Sequence, residues 1–138
     1  AITATGATLA FDAIGGGEQV DTLLAAMEKA SSAGQAFSRY GSDTHKQVYI
    51  YGGLDRSATT LRRTYGMSWG VGGWLLTPFL GRVGFERMAE LQARVAAEIT
   101  TTFASGYADT ISLDGMLDPA VATAYSAQAT GEKRLVTP

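Results

Sequence analysis

Two strand-like runs, each ending in a glycine cluster and separated by a helix-length stretch, constrain this chain more than any other feature. The first run, Thr8–Ile14, ends at Gly15-Gly16-Gly17. The second, Gln47-Val48-Tyr49-Ile50-Tyr51, is β-branched and aromatic and ends at Gly52-Gly53. Between them, Glu18 to Ala33 places Val20, Leu23, Leu24 and Met27 at i, i+3, i+4 and i+7, one apolar stripe of a helix. Glu18 and Asp21 fall in its first turn, where the helix dipole favours them, and Gly34 supplies a stop. A helix of that length is the crossover that parallel strands require. The first 54 residues therefore predict one βαβ unit of an open α/β sheet. Ligands of such sheets bind outside the carboxyl ends of strands, where both glycine clusters lie. Bare backbone at those ends lets a ligand approach closely and accounts for much of the glycine content, 17 in 138 residues.

Beyond this unit the pattern is less regular. Gly66 to Leu76 alternates glycines with aromatic and aliphatic residues and predicts a distorted strand. A helix is predicted over about 84–100, with Met88, Leu91, Val95 and Ile99 on one face. Asp118-Pro119 reads as an N-cap followed by proline at the first helical position, starting a helix to about Ala129 with Gly131 as its stop. Arg134–Val136 predicts a short last strand.

Charge and composition narrow the function. Residues 39–94 hold eight basic and four acidic side chains, so the middle carries about +4 and the flanks together about -6. The net charge of -2 gives no general pull toward nucleic acid or anionic membranes. The most apolar stretch, Val71–Leu80, is far short of the roughly 20 residues of a spanning helix. With no cysteine and one histidine, neither a disulfide framework nor a thiolate zinc site is available, and no metal site is expected in this chain. A cytoplasmic location is the expectation.

Three motifs invite a chemical reading. Gly66-Met67-Ser68-Trp69-Gly70 fits the G-x-S-x-G elbow of serine hydrolases. That elbow needs a strand before it, a helix after it and a histidine later in the chain, whereas the single histidine, His45, comes first. Glu86 and Glu90 are spaced i, i+4 but sit among Arg87 and Arg94, as on a solvated helix face. Neither Gly15-Gly16-Gly17 nor Gly70-Val71-Gly72 completes G-x-G-x-x-G, because Val20 and Leu75 stand at the last glycine position. If this is a nucleotide-binding sheet, its phosphate-binding half is expected outside this sequence.

Phe11-Asp12-Ala13-Ile14-Gly15-Gly16, a helix, then Val48-Tyr49-Ile50-Tyr51-Gly52-Gly53-Leu54 resembles the second half of the Rossmann domain of the medium-chain dehydrogenase/reductases, the zinc-type alcohol dehydrogenase and quinone oxidoreductase relatives. Ser38-Arg39-Tyr40-Gly41-Ser42, Gly72–Leu76 and Ala129–Lys133 extend the resemblance over the whole chain. It implies a partial Rossmann-like α/β fold, an open parallel sheet with a C-terminal helix and return strand. Residues 1–105 would be the C-terminal half of the dinucleotide-binding domain, and 106–138 a segment returning to a GroES-like catalytic domain. Ile14, Gly15 and Gly16 would then lie near the nicotinamide ribose, and Tyr51, Gly52, Gly53 and Leu54 would line the nicotinamide of NAD or NADP. Gly66–Leu76 would carry a homodimer contact, and a small-molecule substrate would meet the full-length protein. The departures are the barrel, the pyrophosphate loop and the zinc-ligand cysteines, and a Gly-Lys pair split here as Gly131-Glu132-Lys133. The alternative reading is a small non-catalytic α/β assembly module that uses the Trp69–Leu80 surface.

Overall fold

A computed structural model describes residues 2–126 and 133–138. The chain forms two compact units, Ala1–Phe79 and Leu80–Pro138. In the first, a helical turn α1 (Ile2–Thr5) precedes β1 (Leu9–Asp12), β2 (Gly15–Gly17), α2 (Gln19–Ser31), β3 (Lys46–Ile50), β4 (Asp55–Thr59) and β5 (Trp69–Gly73). The sheet order is β1-β3-β5, and both ladders are parallel, with Phe11 opposite Tyr49 and Tyr49 opposite Gly72. The predicted βαβ unit is present, and the Gly66–Leu76 run supplies its third strand.

The stripe on α2 builds the core. Val20, Leu24 and Met27 are fully buried against Val48 and Tyr65, with Leu23, Ile50 and Val71 packed around them. The Tyr65 ring stacks edge-on to Trp69 at 5.1 Å. Its buried hydroxyl has no hydrogen-bond partner among the described residues, and burial pushes its pKa up. Lys46, the first residue of β3, is also fully buried. It reaches Glu28 of α2, whose carboxylate accepts Ser42 N–H and Ser42 Oγ–H, each at 2.8 Å. Burial opposes the ionisation of Glu28, but the hydrogen bonds from Lys46 and Ser42 outweigh it and hold its pKa below the ordinary value.

One expectation is corrected. The glycine triplet, where the first strand-like run is predicted to end, is itself a strand, β2, paired in parallel with β4. Asp12 O accepts Tyr51 N–H, Ile14 O accepts Asp55 N–H, and Gly17 O accepts Thr60 N–H, each within 2.9 Å. The two chain segments therefore stay together past the ends of β1 and β3. Gly15 and Gly17 absorb the register shift with φ of 89° and 69°, values open to glycine alone at little cost.

The second unit holds most of α3 (Leu76–Ala97), then β6 (Asp109–Ser112), a 3-10 turn (Asp114–Leu117), α4 (Pro119–Ser126) and β7 (Arg134–Thr137). The helix predicted from Gly84 begins earlier, at Leu76, and is broken at Gly84, where φ 81° and ψ 170° leave helical space. Asp118 caps α4 as predicted, its Oδ1 accepting Ala120 N–H at 2.7 Å. β7 pairs with β6 in parallel, Arg134 opposite Asp109. The predicted helix end at Ala129 and Gly131, and Gly131-Glu132, lie outside the described residues. No described residue of α3 or α4 is buried.

Candidate functional site

The seven residues singled out at the strand ends converge. Gly15 and Gly52 meet back to back: a Cβ on Gly15 would stand 2.9 Å from Gly52 O, and one on Gly52 would stand 2.2 Å from Ala13 O. A Cβ on Gly16 would stand 2.7 Å from Asp55 Cγ and 2.8 Å from Ser57 Oγ. The close approach that requires glycine at 15 and 52 is made by the backbone of the chain itself, and at 16 by the exposed side chains of Asp55 and Ser57. The open positions are the other four. Nothing lies within 4 Å of a Cβ on Gly53, and Ile14, Tyr51 and Leu54 are 39%, 53% and 42% exposed.

Asp12 sets this geometry, and sequence reading did not single it out. It is buried at the end of β1 and accepts Ile14 N–H at 2.9 Å and Gly15 N–H at 3.2 Å. An aspartate three residues before a glycine cluster is the signal that could have found it. Thr59 Oγ1 donates to Gly15 O at 2.6 Å and closes the far side of β2. Asp55 accepts Ser57 N–H at 2.8 Å, and the Ser57 hydrogen bonds hold its carboxyl below the ordinary aspartate range.

Beside Tyr51 the sheet presents a partly uncovered aromatic face. The Phe11 ring lies 5.7 Å from Tyr49, 6.4 Å from Tyr51 and 5.7 Å from Trp74. Phe11 is nonetheless half exposed. Parallel sheets are ordinarily covered on both faces; here Phe79 packs on Trp74 at 5.5 Å while Phe11 and Tyr51 stay half exposed.

The competing motifs are not assembled. Ser68 precedes strand β5 instead of following a strand and opening a helix, so no nucleophile elbow forms. His45 is exposed and its Nε2 lies 3.4 Å from Gln47 Oε1. Among the described residues no three histidine, aspartate or glutamate side chains come together to hold a metal, and no helix is long and apolar enough to cross a membrane.

The fold is that of an open, parallel α/β sheet of Rossmann-like type. In structure the chain is similar to a Mesorhizobium loti protein described as a candidate NADPH:quinone reductase, with a TM-score of 0.56 and 18% sequence identity. The match covers 99% of this chain and 35% of that one, so this chain spans about a third of its neighbour. No protein-family model and no curated protein matches the sequence.

Proposed function

We propose that the chain is the C-terminal part of a NAD(P)-dependent oxidoreductase related to the alcohol dehydrogenases and quinone reductases. It would contribute the nicotinamide side of the cofactor site. One observation carries this reading: two glycine-bearing segments are locked together at the carboxyl edge of a parallel βαβ unit, leaving Gly53 open beside exposed Ile14, Tyr51 and Leu54. These four would form an apolar lip for a flat ring, with Gly15, Gly16 and Gly52 fixing the backbone beneath it. The bound cofactor would supply hydride chemistry toward a carbonyl or activated alkene of a small-molecule substrate.

Residues 1–105 are read as the second half of the dinucleotide domain, and 106–138 as the segment returning to a GroES-like domain. The Gly66–Leu76 strand is the proposed homodimer contact, since β5 is an edge of the described sheet. A cytoplasmic location fits this class.

The experiment is to read the full encoding frame, express its product, and assay NADPH-dependent quinone reduction. The reading requires about 200 further residues with G-x-G-x-x-G upstream. It also requires activity in the full product that falls when Tyr51→Ala removes the lip, and none in the 138-residue chain. A frame without the upstream segment, or reduction by the chain alone, would overturn it. The half-exposed Phe11 and Tyr51 rings favour one second reading, a non-catalytic assembly module, which the first of those outcomes would leave standing.

A further inference from the structure

A cleft of about 810 Å³ opens at the other edge of the first unit. Its walls are residues 35–42, which lead into β3, and 63–67, which lead into β5, so it lies at the amino ends of the strands. β3 is five residues long, which puts about 13 Å between this cleft and the glycine site. Its volume is that of a small-molecule pocket.

The two walls are fixed to each other. Gly41 and Gly66 interlock, a Cβ on Gly41 standing 2.6 Å from Gly66 Cα, and Met67 N–H donates to Tyr40 O at 3.0 Å. The cleft is therefore built before any ligand arrives.

Its charge is one-sided. Arg39 and Arg63 both line it, and neither pairs with a carboxylate among the described residues. Its one carboxylate, Glu28, is neutralised by Lys46. The carbonyls at the end of α2 are also covered: Ser32 Oγ donates to Glu28 O at 2.8 Å, and Gln35 Nε2 to Ser31 O at 2.8 Å. Nothing on the walls offsets the two guanidinium groups. Arg63 is moreover the one non-glycine among the described residues with a left-handed backbone, φ 59°. Glycine would sit there without strain, so an arginine held there points to a use for its side chain. Around the arginines stand Phe37, Tyr40 and Met67, large side chains at least two-thirds exposed.

We propose that this cleft binds a small anion carrying a flat apolar body, with a phosphate or carboxylate paired to Arg39 and Arg63 and the body lying against Phe37, Tyr40 and Met67. It is separate from the proposed cofactor site and does not depend on it. Arginine suits both anions because its fork presents two parallel donors.

The test is an amide-shift titration of the 138-residue chain with phenyl phosphate, benzoate and neutral benzyl alcohol. Both anions should give saturable shifts confined to residues 35–42 and 63–67, and benzyl alcohol none. The tighter of the two identifies the anion. Arg39→Gln and Arg63→Gly should each weaken binding about tenfold, the loss of one charge-assisted contact. Arg63→Gly should at the same time raise the melting temperature, because glycine relieves the backbone, which separates ligand binding from folding. No shift at millimolar anion, equal shifts with benzyl alcohol, or unchanged affinity in both variants would each overturn the proposal.

Discussion

At Gly52 a single methyl group decides whether two chain segments fit. The Ala13 carbonyl fills the space a side chain would take, and backbone cannot swing aside as a long side chain does. Gly52→Ala is expected to cost about 1–3 kcal/mol or more through overpacking, read from the urea midpoint, whereas Gly53→Ala should be near neutral. The Glu28–Lys46 pair behaves differently, because each partner is buried only in the company of the other. Glu28→Gln alone should cost about 3–5 kcal/mol by leaving Lys46 charged and unmatched, and adding Lys46→Met should recover most of it. The same pair sets an acid limit. Glu28 titrates below its ordinary value of 4.5 when folded, so its stabilisation is present above that value and is lost as pH falls through the lower, folded one. Denaturant midpoints measured across this range should drop in the wild type and stay flatter in the double variant.

Elements differ in how plainly side chains announce them. α2 was legible because four apolar residues at helical spacing define its buried face, and β3 because its β-branched and aromatic run meets that face. β2 and β4 were not. Gly15–Gly17 carries no side chains to show a period, and every residue of Asp55–Thr59 is exposed, so their pairing rests on backbone hydrogen bonds and the Thr59 hydroxyl, with no buried apolar face to announce it. The opening of α3 holds Pro78 and Gly81, residue types that disfavour helix interiors, although proline in a first turn forfeits no helical bond. The candidate site shows the same division. Its position at the strand ends follows from sequence, but the use of Gly15, Gly16 and Gly52 against Ala13, Asp55 and Ser57 depends on a register no local pattern encodes. Asp118 was legible and is separately testable. Asp118→Ala should cost α4 about 1 kcal/mol and speed hydrogen exchange at Ala120 and Val121.

In the molecule as a whole, burial is unequal. Every fully buried apolar side chain among the described residues, from Val20 to Tyr65, belongs to the first unit. The second has parallel strands and helices but, among its described residues, no buried apolar side chain, and a domain ordinarily needs a core of its own. Residues 1–79 alone should therefore unfold cooperatively, and residues 80–138 alone should give a largely unfolded circular dichroism spectrum. A cooperative transition in the second fragment would contradict this account.

Every ladder among the described residues is parallel, and partners such as Leu9 and Gln47, Gly15 and Asp55, or Lys46 and Trp69 lie more than twenty residues apart. No strand can zip to its neighbour through a tight hairpin. Each pairing waits for a long loop to close, and that entropy is spent before any contact repays it. The molecule should thus be a slow folder for its size, with unpaired strands lingering on the way, and the speed of that search is set by the order of its strands more than by the strength of its core.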